Sequence, residues 1–419
     1  MKSLSYSWVI CGTGTLILLC TNGFTANVMS IFLPFLEEAG YTGAQSSALI
    51  SIRCFTAILG MLFVTKFYQR VSLRAGLTLF CALTGVAFGL MAVAKSYGLY
   101  CLGASVAGIA YGLGTTIPVS LLITAWFCRH RATALGICSA GTGLSSMIFP
   151  PLVTYLAEQY SLTLAFLSLT VISLLIALAA GLLLRNSPAS CGLLPYGAGS
   201  ADGAEEQTKK SRRRAPLPPG QRRLLLAAIV LFGGLTTGTS LHYSVLFTTC
   251  GHAKDSAALC ISVFGLFLML GKFVFGAAVD RFGAPRATLL FGVLLVAGCA
   301  CCCLAGSGYG FMLAGSILMG FGFPPSSVGL SVWAEDFSTP EQYGSVLRNY
   351  QFAYTAGGML LTAVPGMMYD ATGSYVSFYA GSTLLFALFF AVVLLVYRGQ
   401  DRRIERSAER SAREKSRLF

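Results

Sequence analysis

The sequence predicts an all-α membrane protein with twelve transmembrane helices arranged as two pseudo-symmetric six-helix bundles. Hydrophobic residues make up 55% of the 419 residues and charged residues only 11%, whereas roughly a quarter of the residues in a soluble protein are charged. Apolar runs of about 20 residues, long enough to cross a hydrocarbon layer, recur along nearly the whole chain. The chain lacks the ten-residue alternation typical of membrane β-strands, so helices are the structure that satisfies its backbone in lipid.

The apolar runs form two sets of six. In the first half they span residues 8–36, 44–66, 75–94, 97–127, 132–157 and 162–184. In the second half they span residues 223–250, 256–279, 286–306, 309–334, 343–370 and 374–397. The first run is too long for the core of a signal peptide and lacks a small-residue cleavage site, so we expect it to remain as the first membrane helix.

Polar segments divide the chain into four regions: an N-terminal bundle at 1–184, a linker at 185–222, a C-terminal bundle at 223–397 and a basic tail at 398–419. The linker has no apolar periodicity to bury, so a flexible cytoplasmic segment is expected. Nearly all of the 29 Lys and Arg residues fall on one side when the N-terminus is placed inside. Short loops rich in Lys and Arg stay in the cytoplasm, so both termini are expected on the cytoplasmic side of the cell inner (plasma) membrane.

Composition also argues against several classes of function. The net charge of +13 lies in loops and the tail rather than on a soluble domain, so it does not indicate nucleic-acid binding. The 14 cysteines show no paired CxxC spacing and are interpreted as packing residues. No phosphate-binding GxxxxGK[ST] loop, metal-ligand cluster or nucleophile triad is present. We therefore expect a monomer in the lipid bilayer with no enzymatic activity, cofactor or metal.

Two loops at matching positions of the halves, 66–74 and 276–286, indicate an internal duplication. The second loop resembles the GxxxDRxGxxR signature of the major facilitator superfamily, with Gly276, Asp280, Arg281 and Gly283 at its fixed positions. The resemblance implies that these residues, with Arg70 of the first loop, gate the inner face. The first loop has Gln69 and Ser72 where the signature has an acid and a glycine. The contacts with which this loop closes the inner face are therefore expected to be weaker than those of the second loop.

Helices four and five resemble the monocarboxylate and oxalate/formate antiporter branch of that superfamily. The residues that carry this resemblance are Gly108-Ile109-Ala110-Tyr111-Gly112, Trp126-Phe127, Arg129, Arg131, Ala134-Leu135-Gly136-Ile137, Ser139-Ala140-Gly141, Gly143 and Pro150-Pro151-Leu152. The resemblance implies transport of a small carboxylate. Two departures qualify it: the first helix lacks the acidic-glycine-aromatic opening motif, and Gly357 stands where the oxalate type has a lysine, which disfavours oxalate itself.

Two cations lie inside apolar runs, Arg53 in the second and Lys272 in the eighth, whereas all 16 Asp and Glu residues lie in loops or near the ends of the runs. A charge inside the membrane is costly unless it faces a partner or a wet cavity. Two buried cations without buried acids predict a pocket for an anion. The alternatives are structural: Arg53 reaching the outer surface near Glu37 and Glu38, and Lys272 reaching the cytoplasmic interface.

Polar and aromatic residues of other runs are candidates to complete the pocket: Asn22, Asn27, Tyr111, His242, Tyr243, Tyr350 and Tyr354. Each of them has an alternative as a bridge between helices. His242 is a candidate proton carrier, because the unperturbed pKa of histidine is about 6.5, and its alternative is a packed, uncharged side chain.

The function predicted from these residues is secondary transport of a small organic anion of the monocarboxylate kind. Two halves would alternate around a central cavity, in which Arg53 and Lys272 bind the carboxylate, with anion exchange or proton symport as coupling. One alternative is a facilitator-type exporter of drugs or uncharged solutes, in which both cations are structural. The other is a membrane sensor that binds a ligand without transporting it.

Overall fold

The computed structural model describes residues 2–198, 216–361 and 363–417, and most of these residues are helical. The central part of the predicted linker, 199–215, lies outside the described residues. In the tail, the backbone is helical to Arg417, but the side chains beyond Arg403 are outside the described part.

Among the described residues, eight α-helices precede the linker. They are α1 (Lys2–Leu18), α2 (Phe32–Glu38), α3 (Gly43–Arg70), α4 (Leu73–Ala92), α5 (Tyr97–Gly114), α6 (Thr116–Trp126), α7 (Arg131–Gln159) and α8 (Leu162–Leu183).

Nine α-helices follow in the rest of the described residues, and the first of them begins inside the predicted linker. They are α9 (Pro219–Leu241), α10 (Tyr243–Thr249), α11 (Lys254–Phe282), α12 (Ala284–Cys303), α13 (Tyr309–Gly322), α14 (Val328–Asp336), α15 (Tyr343–Leu361), α16 (Val364–Thr372) and α17 (Val376–Arg417).

Eleven helical segments in the described part of the chain are long and apolar enough to cross a membrane. The predicted eleventh run, 343–370, is not among them. It divides into α15 and α16, and α15 carries Arg348, Asn349 and Gln351, which lower its hydropathy. Polar side chains on a helix between apolar neighbours are typical of a surface that faces a wet cavity.

Three further predicted runs are broken within their length. The fourth divides at Thr115, whose φ of −104° and ψ of −130° are not helical. The seventh divides at His242, where α9 ends and α10 begins. The tenth divides at the turn Pro324–Ser326, because proline has no N–H to continue the hydrogen-bond ladder. In contrast, α7 continues through Pro150 and Pro151.

The first membrane segment changes helix type part of the way along. After α1, residues Leu19–Val28 form a π-helix, in which the N–H of Met29 donates to the carbonyl of Phe24, five residues earlier. The hydroxyl of Thr21 donates to the carbonyls of Ile17 at 2.8 Å and Gly114 at 3.0 Å. Such widened turns within helices often lie at functional sites.

The chain packs as two compact units. The first contains the residues up to Tyr196 together with Ala258–Ala277 of α11, and the second contains the remaining residues. The middle of α11 therefore packs with the N-terminal helices, so the division by packing does not coincide with the predicted split at 185–222.

Glycines explain why α11 joins the first unit. A Cβ on Gly136 of α7 would overlap the carbonyl of Lys272, and a Cβ on Gly276 of α11 would overlap the carbonyl of Ala132. On the same stretch, a Cβ on Gly143 would come within 3.0 Å of the Cβ of Met269. The missing side chains let the two backbones approach closely, as small residues do in membrane interfaces.

The beginning of the linker folds onto the first unit. The amide of Tyr196 donates to the carbonyl of Trp126 at 2.8 Å, and the carbonyl of Tyr196 accepts from the amide of Cys128 at 2.9 Å. Its ring packs 5.6 Å from Trp8 and 5.5 Å from Phe127. The expectation of a flexible linker is therefore wrong for residues 185–196, which we call the strap, because the ring of Tyr196 anchors it.

Candidate functional site

Lys272 is the most deeply placed cation of the described first unit. It lies on α11 ten residues before the helix ends, roughly 15 Å along the axis, and is 6% exposed. Its Nζ donates to the hydroxyl of Thr142 and to the carbonyl of Ser139 at 3.3 Å, both on α7. The side chain is thus directed to α7 and not along the helix toward an interface.

The partners of Lys272 are neutral. An ammonium has three N–H donors, and two of them are used here. Within the described residues Lys272 forms no ion pair, so its charge has dipoles around it but no counter-ion. This arrangement leaves a donor and an uncompensated positive charge for an anion.

Arg53 lies on α3 against α5 and is 8% exposed. Its guanidinium carbon is 5.6 Å from the centre of the Tyr111 ring, a distance suited to a cation–π interaction. Its Nη2 donates to the sulfur of Cys54 at 3.0 Å, and its Nε has no hydrogen-bond partner. Among the described residues Arg53 forms no ion pair with any acid, and Glu37 and Glu38 are no exception. The second buried cation therefore also lacks a counter-ion.

Asn27 belongs to the π-helical segment and reaches α7. Its Nδ2 donates to the hydroxyl of Ser146 at 2.7 Å and to the carbonyl of Thr142 at 3.4 Å. The hydroxyl of Ser146 donates to the same carbonyl at 3.1 Å. Thr142 therefore connects Asn27 to Lys272, and two of the predicted site residues meet at one point of α7.

The structure gathers the predicted residues of the first unit into two groups. One group joins Lys272 and Asn27 through α7, and the other joins Arg53 and Tyr111 between α3 and α5. Asn22 lies half-buried in the π-helical segment. A role of these residues in binding a substrate stays a prediction.

The predicted residues of the second unit make contacts that bridge helices. The hydroxyl of Tyr243 donates to Ser316 at 2.9 Å, and the hydroxyl of Tyr354 is 2.8 Å from that of Thr236. The ring of His242 lies 5.4 Å from that of Tyr375, and its Nδ1 is 3.1 Å from the carbonyl of Gly238. Tyr350 is buried.

The two signature loops differ where the sequence differs. Gly283 has a φ of +85°, a conformation that side chains disfavour, so the glycine is required there. Ser72, at the matching place, has a φ of −65° and accepts a hydrogen bond from the amide of Ala75 at 3.3 Å. Serine thus replaces glycine because this loop enters α4 through an ordinary N-cap.

The charged residues of the loops are at the surface or close to it. Arg70 is exposed and Asp280 is half-buried. The guanidinium carbon of Arg281 lies 5.3 Å from the centre of the Phe282 ring. Their role in gating stays a prediction.

Sequence reasoning missed three residues of α7: Ser139, Thr142 and Ser146. Their spacing of three and four residues puts them on one face of a helix, and this was the signal available. Hydroxyl side chains in membrane helices commonly bond to their own backbone, so the pattern alone does not distinguish a site. The described residues contain no group of three or more His, Cys, Asp or Glu side chains able to hold an ion.

Comparison with known proteins places the chain in a family. The family model of the Major Facilitator Superfamily matches residues 15–253 and 224–418, which together cover almost the whole chain. The chain belongs to the Major Facilitator Superfamily. It is accordingly a transporter and a multi-pass membrane protein, and the predicted resemblance is confirmed.

Several relatives in this superfamily are monocarboxylate transporters. Monocarboxylate transporter 12-B of Danio rerio is 24% identical over 424 residues, covering 94% of this chain and 88% of the relative. Monocarboxylate transporter 13 of Bos taurus is 28% identical over 371 residues, covering 84% of this chain and 79% of the relative.

Solved structures of the superfamily confirm the predicted fold class. The human organic anion transporter MFSD10 superposes with a TM-score of 0.71 at 14% identity, covering 93% of this chain and 99% of that one. The fucose:proton symporter FucP of E. coli superposes with a TM-score of 0.68 at 17% identity, covering 96% and 99%. At these identities the likeness concerns the fold alone.

Proposed function

We propose that this transporter carries a small organic anion of the monocarboxylate kind by alternating access, through anion exchange or proton symport. The observation that carries the proposal is the ammonium of Lys272, 6% exposed and bonded only to neutral groups of Ser139 and Thr142 among the described residues. A buried charge without a counter-ion is stabilised when an anion binds beside it.

The chemistry of the cations supports a singly charged substrate. Lysine presents a compact point charge, whereas arginine presents a planar fork that matches a carboxylate with two bonds. At Lys272 the helix offers the point charge, which suits one carboxylate oxygen. Arg53, with its unpartnered Nε, is proposed as the second cation that attracts the anion.

The relatives agree with this substrate class. Two of the similar proteins are named monocarboxylate transporters, and one structure of the same fold is named an organic anion transporter. We extend that class to this chain as a proposal, because Lys272 and Arg53 supply the positive charge that such a substrate requires.

The decisive experiment replaces Lys272 in purified protein reconstituted into liposomes. Uptake of radiolabelled pentanoate is expected to fall about 10- to 100-fold in Lys272→Gln, since a hydrogen bond to a charged group contributes about 1.5–3 kcal/mol. Lys272→Arg keeps the charge and is expected to retain part of the uptake. Lys95→Gln, which removes an exposed charge at a loop, is the matched control and is expected to transport normally.

Three results would contradict the proposal. Undiminished uptake by Lys272→Gln would remove that residue from the site. Transport of uncharged solutes that tolerates neutral replacements of both Lys272 and Arg53 would indicate an exporter of neutral compounds. Binding of pentanoate without any flux would indicate a sensor.

The mode of coupling is tested in the same liposomes. Exchange requires a second anion inside the vesicle, so uptake into empty liposomes would be slow and preloading with pentanoate would accelerate it. Proton symport would instead drive uptake into empty liposomes when the outside is acidic. The two modes therefore give opposite results with empty vesicles under a proton gradient.

A further inference from the structure

Polar groups form a continuous path along α7 in the first unit. It begins at the Nζ of Lys272, which donates to Ser139 and Thr142, and continues through the carbonyl of Thr142 to Ser146 and Asn27. Lys272 and Thr142 are buried, whereas Ser146 and Asn27 are exposed. The path therefore leads from the buried charge to an open surface.

That open surface is not the face of α7 that carries the large exposed apolar residues. Ser139 and Ser146 are seven residues apart, nearly two full helical turns, so they point in almost the same direction. At about 100° per residue, the large exposed apolar residues of α7 point away from Ser146 by roughly 100° to 180°. They are Met147, Ile148, Leu152 and Tyr155, and their exposure is expected of a surface against lipid. An exposed serine and asparagine on the other face indicate a wet cavity.

The hydrogen bonds of Ser146 define what the outer end of the path recognises. A serine hydroxyl has one donor and two acceptor lone pairs. Its donor goes to the carbonyl of Thr142, and one lone pair accepts from the Nδ2 of Asn27. The remaining lone pair is an acceptor, so a ligand group that binds there has to donate.

The path also sets the distance between a carboxylate bound at Lys272 and a second ligand group bound at Ser146. Thr142, where Lys272 binds, and Ser146 are one turn apart on α7, roughly 6 Å along the axis. A carboxylate held by Lys272 would therefore place its distal end at Ser146 when four or five bonds separate the two groups. Ser146 and Asn27 are both uncharged. The ligand group that binds at this outer end is therefore expected to be a neutral donor such as a hydroxyl.

We propose that Ser146 and Asn27 form a second subsite, which selects carboxylates that carry a hydroxyl about 6 Å from the carboxylate. The proposal rests on the function proposed above, because Lys272 has to hold the carboxylate for the spacing to matter. It adds a substrate class: distal hydroxycarboxylates are preferred over acids with the hydroxyl next to the carboxylate.

The test compares two isomers that differ only in the position of the hydroxyl. Dissociation constants of 5-hydroxypentanoate, 2-hydroxypentanoate and plain pentanoate are measured by calorimetry on the purified full-length protein. One added hydrogen bond is expected to make the 5-hydroxy isomer bind about 2- to 10-fold more tightly than the 2-hydroxy isomer. Ser146→Ala and Asn27→Ala are expected to abolish that ratio, and Ser146→Thr, which keeps a hydroxyl, to preserve it.

The matched control is Ser105→Ala on α5. Ser105 also donates to the carbonyl four residues earlier, that of Cys101 at 2.8 Å, but it lies away from the path. Ser105→Ala is expected to keep the wild-type preference between the isomers. That result would show that losing a serine bonded to its own helix is not sufficient to remove the preference.

The outcomes separate this inference from the proposed function. Wild-type binding of all three acids that depends on Lys272 but shows no preference between the isomers would overturn the subsite alone. A preference that survives both Ser146→Ala and Asn27→Ala would also overturn it. Absence of binding to all three acids, or binding that is undiminished in Lys272→Gln, would overturn the proposed function together with the subsite.

Discussion

Lys272 and Arg53 hold their charges in different surroundings. Lys272 is solvated by a hydroxyl and a carbonyl of α7, whereas Arg53 lies over the ring of Tyr111 and beside the sulfur of Cys54. The first environment offers hydrogen bonds in a fixed direction, and the second offers a diffuse electrostatic contact. In the proposed function, Lys272 would therefore orient the anion and Arg53 would attract it.

The close contact between α15 and α9 leaves no room for a side chain at position 357, where the oxalate type has a lysine. A Cβ at position 357 of α15 would overlap the carbonyl of Val230 on α9. We expect Gly357→Ala to lower the free energy of unfolding by about 1–3 kcal/mol, the usual cost of overpacking. The measurement is the midpoint of thermal unfolding in detergent, which should fall by several degrees.

Gly366 is the matched control for this prediction. A Cβ there would meet no atom within 4 Å, and its helix α16 would gain from alanine. Gly366→Ala is expected to leave the midpoint unchanged or slightly higher. If the two variants behave alike, the close contact between α9 and α15 is not what requires glycine at 357.

The two buried cations could be predicted from the sequence, and the hydroxyls of α7 could not. A charge within an apolar run is conspicuous because its transfer into lipid is unfavourable. Serine and threonine have no such penalty when they bond to their own helix, as Thr142 does to Ser139 at 2.9 Å. Only the position of Lys272 against α7 reveals that these hydroxyls have a second use.

Among the structural elements, the strap connects several helices at one end of the first unit. The indole of Trp126 donates to the carbonyl of Arg185 in the strap at 3.1 Å. Just before the strap, the hydroxyl of Tyr6 donates to the carbonyl of Leu183, the last residue of α8, at 2.7 Å. Together with the contacts of Tyr196, these bonds connect the start of α1, the end of α6 and the end of α8. The strap thereby holds the loop between α6 and α7 in place.

Removing the ring of Tyr196 should release that loop. In Tyr196→Ala we expect faster hydrogen exchange at the amides of Cys128 and Arg129, both of which donate to the carbonyl of Tyr196, at 2.9 Å and 3.1 Å. The physical reason is the lost packing on Trp8 and Phe127, which anchors the strap. Exchange is followed by mass spectrometry of the peptides that cover residues 126–130.

Leu194→Ala serves as the comparison for this experiment. Leu194 belongs to the same strap but is 65% exposed, so its side chain contributes little packing. Its exchange pattern should match the wild type. Equal protection of the two amides in Tyr196→Ala and in the wild type would show that backbone bonds alone hold the strap.

Sequence hydropathy located most membrane helices to within a few residues, because the length of an apolar run is set by the thickness of the bilayer. The runs at 132–157 and 162–184, for example, correspond to α7 (Arg131–Gln159) and α8 (Leu162–Leu183). The interruptions at Thr115 and His242 were not predicted, since both lie within apolar sequence that continues on either side of the break. The strap was missed because one aromatic residue in a polar segment gives no periodic signal.

At the scale of the whole molecule, the distribution of Lys and Arg predicts which side of the membrane each end faces. The strap and the loop between α6 and α7 belong to the end with many basic residues, and the loop between α4 and α5 belongs to the opposite end. From the positive-inside rule we therefore propose that the strap and both termini face the cytoplasm.

Labelling from either side of the membrane tests this orientation. Cys191 lies in the strap and is exposed, so a membrane-impermeant maleimide should label it in inside-out vesicles and not in intact cells. Lys95→Cys, in a chain that also carries Cys191→Ser, should give the reverse pattern, because Lys95 is exposed in the loop between α4 and α5. Labelling of Cys191 in intact cells would invert the proposed topology.

The π-helical stretch Leu19–Val28 also determines how mutational scans of the first membrane segment should be read. Each widened turn takes about one residue more than an ordinary turn, so over these ten residues the direction of successive side chains falls behind that of an α-helix by roughly half a revolution. A cysteine scan from Ser7 to Val28 should thus show reactivity peaks every three to four residues at first and a slower rhythm beyond Leu18. A helical wheel drawn without that change of phase would put Asn27 on the wrong side.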